Sequence, residues 1–462
     1  MTDSKDYFFC GIGGSGMLPL AMIVAARGAH VEGSDRALDQ GRTGAKFDYL
    51  RGLGIALHPQ DGSGVNRPSQ ILVASAAVEE TVPDVVAAKA AGAARLSRAE
   101  LLAQLFNESE CPIGVAGTSG KSTTTGMIGW ILYHAGKSPT VMNGAVMKNF
   151  VKPDALFASA LVGEGAAFVS EVDESDGSIA MFRPKIAVLN NVSLDHKSMD
   201  ELRALFGGFI GHAETAVLNL DNDETAVLAS ARKGGKLAYS LNDKSADLFA
   251  ENIEPQPFGV SFDVVAKGES ARVTLKMPGR HNVSNALAAI AAASACGVSL
   301  QASAKALAEF EGVKRRLEYV GEAKGVTVID DFGHNPDKIT ASLKTLHEFP
   351  GRLLVMFQPH GFGPLRLMKT EFIATFTSQL APEDVLLMPE PVYFGGTTDR
   401  SVSSNDIAEG VTAAGRNAQA LPTRDDCGAR LLKLAKPGDR IVVMGARDDT
   451  LSVFAADLLK QL

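Results

Sequence analysis

The sequence predicts an α/β chain built from several parallel-sheet domains, and three observations carry that expectation. Short apolar runs of strand length alternate with helical runs along the 462 residues, the pattern of repeated βαβ units. Two of the turns between them, at residues 11–16 and 117–120, are glycine-rich junctions that run from a strand into a helix. The remaining polar clusters fall at the carboxyl ends of strands, where parallel sheets bind ligands. The length exceeds one ordinary core, so two to four domains are expected.

Composition narrows the class. Hydrophobic residues make up 45% and charged residues 21%, as in a globular protein with a buried core. The net charge of −8, with dispersed Lys and Arg, argues against nucleic acid as a partner. Four scattered cysteines (Cys10, Cys111, Cys296, Cys427) form no C-x-x-C pair. They read as buried reduced thiols rather than a disulfide framework or zinc site. No apolar run approaches the ~18 residues of a membrane span, and the first residues lack a signal-peptide core. A cytoplasmic location is therefore expected.

In chain order, the strand at residues 7–12 enters Gly11-Ile12-Gly13-Gly14-Ser15-Gly16, and a helix from Met17 to Arg27 leads to a second strand ending at Gly33-Ser34-Asp35. This is a Rossmann-like βαβ unit. The spacing G-x-G-G-x-G is one residue short of the dinucleotide fingerprint. A bound NAD is thus the lesser expectation, and another diphosphate, such as that of a UDP-sugar, the greater. A strand at Ile71–Ser75 and a helix from Arg98 close the unit near Ser109.

The strand Cys111–Ala116 then runs into Gly117-Thr118-Ser119-Gly120-Lys121-Ser122-Thr123 and a helix. Backbone N–H groups and a helix N-terminus converge at such a turn, which suits phosphate. Lys121 is expected to be exposed and to meet the β/γ-phosphates, and the Ser122 hydroxyl to reach Mg²⁺. Strand Ala167–Val172 ends in Glu171-Val172-Asp173-Glu174-Ser175-Asp176. Carboxylates clustered this way call for a cation, and Glu171 is the expected Mg²⁺ ligand. His196, after the strand Ile186–Asn190, is a candidate for a second Mg²⁺ or a bridging water. Residues 250–277 read as a small antiparallel appendage, and Asn282 or Asn285 at the start of the next helix reads as an adenine contact or as a simple N-cap. Beyond Arg315-Arg316, strands end at Asp330-Asp331-Phe332-Gly333-His334, at Gln358-Pro359-His360 and at Gly445.

In this order, the Gly117–Thr125 loop, Glu171–Asp176, Asn190-Asn191-Val192 with Asp195-His196, Gly279-Arg280-His281-Asn282 with Asn285, Arg315-Arg316 and Asp330–His334 resemble the motifs of the Mur ligases over nearly the whole chain. The resemblance is strongest to the alanine-adding branch; the branch that reattaches a recycled tripeptide is similar in the first two domains. It implies three domains: a Rossmann-like UDP-sugar domain (1–109), a central P-loop-type ATPase domain (110–313) and a Rossmann-like domain for the incoming amino acid or peptide (314–462). It implies amide formation between the carboxylate of a UDP-N-acetylmuramate-type sugar and an amino acid, L-alanine first, through an acyl phosphate, with ATP as co-substrate and Mg²⁺. A recycled peptide or another amine is the alternative acceptor, and a monomer or homodimer the expected state.

Carried over residue by residue, the resemblance assigns catalysis to Lys121, Glu171, His196 and His334. It assigns ATP binding to Gly117 through Thr123, Asn285, Arg316 and Asp331, and metal binding to Ser122, Glu171 and His196. The sugar nucleotide falls to Gly13, Gly14, Ser15, Gly16, Ser34, Asp35, Ser75 and Arg98, and the acceptor to His334, His360 and Arg366. Two departures stand out. Asn335 replaces the second histidine of Gly-His-His-Pro, and Gly361-Phe362-Gly363-Pro364-Leu365-Arg366 replaces Arg-Tyr-Thr-Arg-Thr-Arg, leaving only Arg366 as a carboxylate fork. An NAD-dependent oxidoreductase would leave Lys121 and Glu171 without a role. A non-catalytic UDP-sugar sensor would be expected to lose at least one of Lys121, Ser122, Glu171 and His196.

Overall fold

The computed structural model describes residues 5–76, 78–193, 197–391, 399–446, 448 and 450–462. Three sheets organise the chain, distributed over two compact units.

The first unit holds two of the sheets. Strands β1 (Asp6–Cys10), β2 (His30–Ser34), β3 (Ala56–His58), β4 (Gln70–Ala74) and β5 (Ala94–Ser97) pair in parallel in the order β3-β2-β1-β4-β5. The connections leave β1 towards opposite sides, so a crevice opens at its carboxyl end, and the glycine loop lies there. The second sheet contains β6 (Cys111–Ala116), β7 (Thr140–Met142), β8 (Ala160–Leu161), β9 (Ala167–Glu171), β10 (Ile186–Leu189), β11 (Thr215–Asn219), β12 (Gly235–Ser240), β13 (Leu248–Gln256), β14 (Gly259–Ala266) and β15 (Glu269–Leu275). Its order is β15-β14-β13-β12-β11-β10-β6-β9-β7-β8. β6 lies between β10 and β9, parallel to both, and its carboxyl end is again a switch point. β6, β9 and β10 are buried apolar runs, as expected of strands covered on both faces.

One hydrophobic core runs through both sheets of this unit, from Tyr7, Phe9 and Leu20 to Phe168, Val172 and Phe206. The helix Arg98–Asn107 is the joint. Ser97 and Glu100 form a capping box at its start. At its end Phe106 meets Phe182 and Phe168 edge-on, with ring centroids 5.2 and 6.0 Å away. Asn107 adds polar stitches, donating to Met181 O (2.9 Å) and accepting from Arg183 N (2.8 Å). The same helix therefore presents Arg98 at one end and anchors the central sheet at the other.

The second unit contains β16 (Glu318–Ala323), β17 (Val326–Asp331), β18 (Leu353–Gln358), β19 (Val385–Pro389), β20 (Asn417–Leu421) and β21 (Arg440–Gly445), ordered β16-β17-β21-β18-β19-β20. All neighbours are parallel except β16, which is antiparallel to β17. The short or half-exposed strands β3, β7, β8, β16 and β20 carry too few apolar residues to stand out in the sequence. No helix among the described residues is long and apolar enough to cross a membrane.

Candidate active site

A cavity of about 400 Å³ in the first unit is lined by Gly14, Ser15, Gly16, Ser75 and Arg98 from the amino-terminal sheet and by Lys121, Asn143, Gly144, Glu171 and Asp173 from the central sheet. Most of the residues assigned to the sugar nucleotide and two assigned to catalysis thus share one space.

The phosphate loop is shaped by its glycines. Gly120 has φ +83°, and a Cβ there would lie 2.5 Å from Asn285 Oδ1 and 2.9 Å from Asn190 Nδ2. Only glycine fits that backbone and that packing. Two asparagines after β10 clamp the loop from behind. Asn191 accepts from Ser119 N at 2.8 Å and donates to Ser119 O at 3.2 Å, and Asn190 Nδ2 donates to Thr124 Oγ1 at 3.0 Å. Thr118 is tied to Ser193 by its hydroxyl. The helix Lys121–His134 starts at Gly120, which makes no side-chain cap hydrogen bond. Thr123 lies buried on its first turn.

Lys121 is not the exposed lysine expected. Its side chain is 19% exposed, and its ammonium donates to Gly117 O at 2.7 Å and to both Glu174 oxygens at 3.0 and 3.2 Å. Desolvation opposes the charge, but Glu174 and Asp173 outweigh it and hold the ammonium above the usual lysine range. Ser122 Oγ donates to Glu171 Oε2 at 3.1 Å, and Glu171 Oε1 accepts from Gly144 N. This hydroxyl and carboxylate, with Glu171 in the cavity lining, are hard oxygen donors of the kind Mg²⁺ takes, so the pair fits that ion. His196 lies outside the described residues.

The amino-terminal loop is braced differently. Asp35 accepts from Gly13 N and from Ala37 N, each at 2.8 Å, and Lys46 Nζ donates to Gly13 O at 3.0 Å. The Ser34 hydroxyl is buried and donates to Asp84. Gly13, Ser34 and Asp35 thus support the loop from outside the cavity lining, while Gly14 to Gly16 form the lining. Gly16 lies against Arg98, whose Cδ would be 3.0 Å from a Cβ there. Asn285 also works from behind: it is buried, accepts from Thr124 Oγ1 at 3.3 Å and donates to Asn282 Oδ1 at 3.2 Å.

In the second unit, Asp331 is buried and accepts from Leu317 N, Gly333 N and Ser342 Oγ, so its carboxylate organises the turn after β17. Arg316 stacks over Phe332, 4.3 Å from the ring centre. His334 and His360 face each other edge-on at 5.3 Å. His334 Nδ1 lies 2.9 Å from Phe332 O, which fixes the proton on Nδ1 and leaves the Nε2 lone pair. Burial, with Lys338 nearby, pushes this imidazole well below the usual histidine range. Arg366 is exposed and paired with Asp399.

Sequence reasoning passed over Glu174 as the Lys121 partner and Asn190 and Asn191 as loop clamps. The carboxylate run and the paired asparagines at a strand end were the available signals.

The fold and loop define a P-loop-type α/β nucleotide-binding protein. The description "Mur ligase family, catalytic domain" matches residues 6–110, "Mur ligase middle domain" residues 115–293, and "Mur ligase, glutamate ligase domain" residues 315–447. The chain is 36% identical to UDP-N-acetylmuramate–L-alanine ligase of Streptomyces coelicolor, covering 96% of this chain and 95% of that one, and 34% identical to the protein of the same name from Agrobacterium fabrum, covering 96% and 94%. Among solved structures it resembles the UDP-N-acetylmuramate–alanine ligase of Thermotoga maritima (TM-score 0.79, 26% identity, 99% and 98% covered) and a murein peptide ligase of Psychrobacter arcticus (TM-score 0.73, 25% identity, 99% and 98% covered). The chain belongs to the Mur ligase family, whose members are ATP-dependent amide-forming ligases.

Proposed function

We propose that the protein joins L-alanine to the carboxylate of UDP-N-acetylmuramate at the expense of ATP, in peptidoglycan precursor synthesis. The observation that carries this reading is the shared cavity. The glycine loop and Arg98 share the cavity lining with Lys121 and Glu171, the latter hydrogen-bonded to Ser122 behind it. A sugar diphosphate held at Ser15, Gly16 and Arg98 would extend its carboxylate towards the phosphate loop.

The chemistry needs charge neutralisation and alignment more than a protein nucleophile. Lys121 turns from Glu174 to the terminal phosphate and offsets the charge that develops as the carboxylate attacks. Ser122 and Glu171 would hold Mg²⁺, which neutralises phosphate charge when bound. Neutral His334, with its Nε2 lone pair, is suited to take the proton that the acceptor amine sheds. His360 sits against it as the second acceptor-side group. Arg316 and the turn around Asp331 serve the nucleotide, and His196 is assigned to the metal by motif alone.

The test is phosphate release with ATP, Mg²⁺ and UDP-N-acetylmuramate, offering L-alanine, other amino acids and short peptides in parallel. L-alanine should give the largest stimulation and an amide product. A peptide that outcompetes it would move the chain to the recycling reaction, and release independent of UDP-N-acetylmuramate would sink the proposal.

A further inference from the structure

We infer that the amino-terminal sheet carries a site for a divalent transition-metal ion of the zinc class, at the end of β1 remote from the glycine loop. Asp6 opens β1 and pairs across the sheet with His30, the first residue of β2. Glu32 stands two residues further along β2, so strand alternation puts it on the face of His30. One donor atom from each of these three side chains lies within 4.8 Å of the other two. His30 Nδ1 and Asp6 Oδ1 are 2.8 Å apart. Imidazole together with carboxylate is a donor set of zinc and its neighbours, whereas Mg²⁺ and Ca²⁺ take oxygen alone.

The two carboxylates are already held by their other oxygens. Arg67 donates to Asp6 Oδ2 at 3.2 Å and to Glu32 Oε2 at 2.7 Å, and Gln70 Nε2 donates to Glu32 Oε2 at 2.8 Å. These bonds leave Asp6 Oδ1 and Glu32 Oε1 for an ion, so the outer shell that orients ligating carboxylates is in place beforehand. Two carboxylates outnumber the single guanidinium between them, which favours a further cation.

His58, the last residue of β3, is placed to complete the set. Its Nε2 is buried, has no hydrogen-bond partner among the described residues, and lies 3.4 Å from Glu32 Oε1. A buried ring nitrogen left without a partner is costly, and a metal bond would remove that cost. Ligand atoms bound to Zn²⁺ at about 2.0–2.1 Å lie about 3.4 Å apart around a tetrahedron. His58 and Glu32 already stand at that spacing. Asp6 and His30 need to part by about half an ångström, and the His30 ring, 55% exposed, can turn to do so.

An ion here would join β1 through Asp6, β2 through His30 and Glu32, and β3 through His58. None of the four lines the cavity. From Asp6 the strand runs on to Cys10, about 13 Å at the usual rise, before it enters the glycine loop. The ion should therefore fasten the sheet without touching the reaction.

The experiment strips the full-length chain with EDTA and titrates Zn²⁺ in excess Mg²⁺, so that oxygen-only sites are occupied. Calorimetry gives the stoichiometry, X-ray absorption at the zinc edge the neighbours, and a melting curve the thermal midpoint. One Zn²⁺ per chain should bind, with only nitrogen and oxygen neighbours at about 2.0–2.1 Å. At about 100 times its dissociation constant it should raise the midpoint on the order of 5 °C. His30→Ala and Asp6→Asn should each weaken binding at least about 10-fold and abolish the shift, while Glu171→Gln, at the phosphate loop, should keep both. Absence of binding, sulfur neighbours at about 2.3 Å from cysteine capture, or parental affinity in either variant would each overturn the site. The exposed His30 variant tests the location even if Asp6→Asn folds poorly.

Discussion

The chain contains two strand–glycine–helix junctions at switch points of parallel sheets, and they differ in what braces them. The loop at Gly11–Gly16 is held by a carboxylate and a lysine: Asp35 takes Gly13 N, and Lys46 takes Gly13 O. The loop at Gly117–Gly120 is held by neutral amides, Asn190 and Asn191, and carries its own cation in Lys121. Neither following helix has a side-chain cap. Backbone geometry alone makes an anion cradle in both places. On the function proposed above, charge placement would separate a loop that only holds a diphosphate from one that also offsets charge during phosphoryl transfer.

Changes in the two loops should accordingly separate turnover from affinity. The largest effect is expected for Lys121→Ala, with kcat falling on the order of 10³-fold. The same change leaves Glu174 buried without its partner, costing about 3 kcal/mol. Adding Glu174→Gln should restore the melting temperature but not the turnover; recovery of turnover would erase the distinction between the loops. Gly120→Ala comes next. The left-handed backbone and the contact with Asn285 should cost about 2 kcal/mol, and misalignment should lower kcat on the order of 100-fold. Arg98→Ala should raise KM for the sugar nucleotide about 10-fold while leaving KM for ATP within about 2-fold, as steady-state kinetics with each substrate varied will show. The smallest effect belongs to Asp35→Asn, which keeps an oxygen for one amide and loses the other, about 1 kcal/mol. A few-fold rise in KM for the sugar nucleotide alone is expected, and an equal rise for ATP would count against separate roles.

The long apolar strands and both glycine loops were legible because their signals are local: a run of buried residues, then glycine at a fixed offset. Glu171 could be picked because strand alternation puts it on the opposite face from Val172. The role of Glu174 could not, because it depends on where Lys121 turns once β6 and β9 are paired. Asn285 reads in sequence as an adenine contact or an N-cap, and Asp331 is an ATP contact by resemblance alone; their burial and their hydrogen bonds to Thr124 and Ser342 appear only once the chain is packed. β7 was invisible at three residues, although it supplies the wall around Met142 and Asn143. All four cysteines looked buried in sequence; two are not.

The Lys121–Glu174 pair also makes the resting loop selective about which anions it admits. Glu174 is a tethered competitor, present at an effective concentration on the order of millimolar or higher. A lone phosphate or sulfate ion must displace it for a single ammonium contact, whereas a triphosphate brings oxygens for the loop amides as well. The enzyme would then be shielded from the inorganic anions around it and from its own released phosphate. Product inhibition by phosphate should sharpen in Glu174→Gln, and inhibition unchanged from the parent would show that the carboxylate guards nothing.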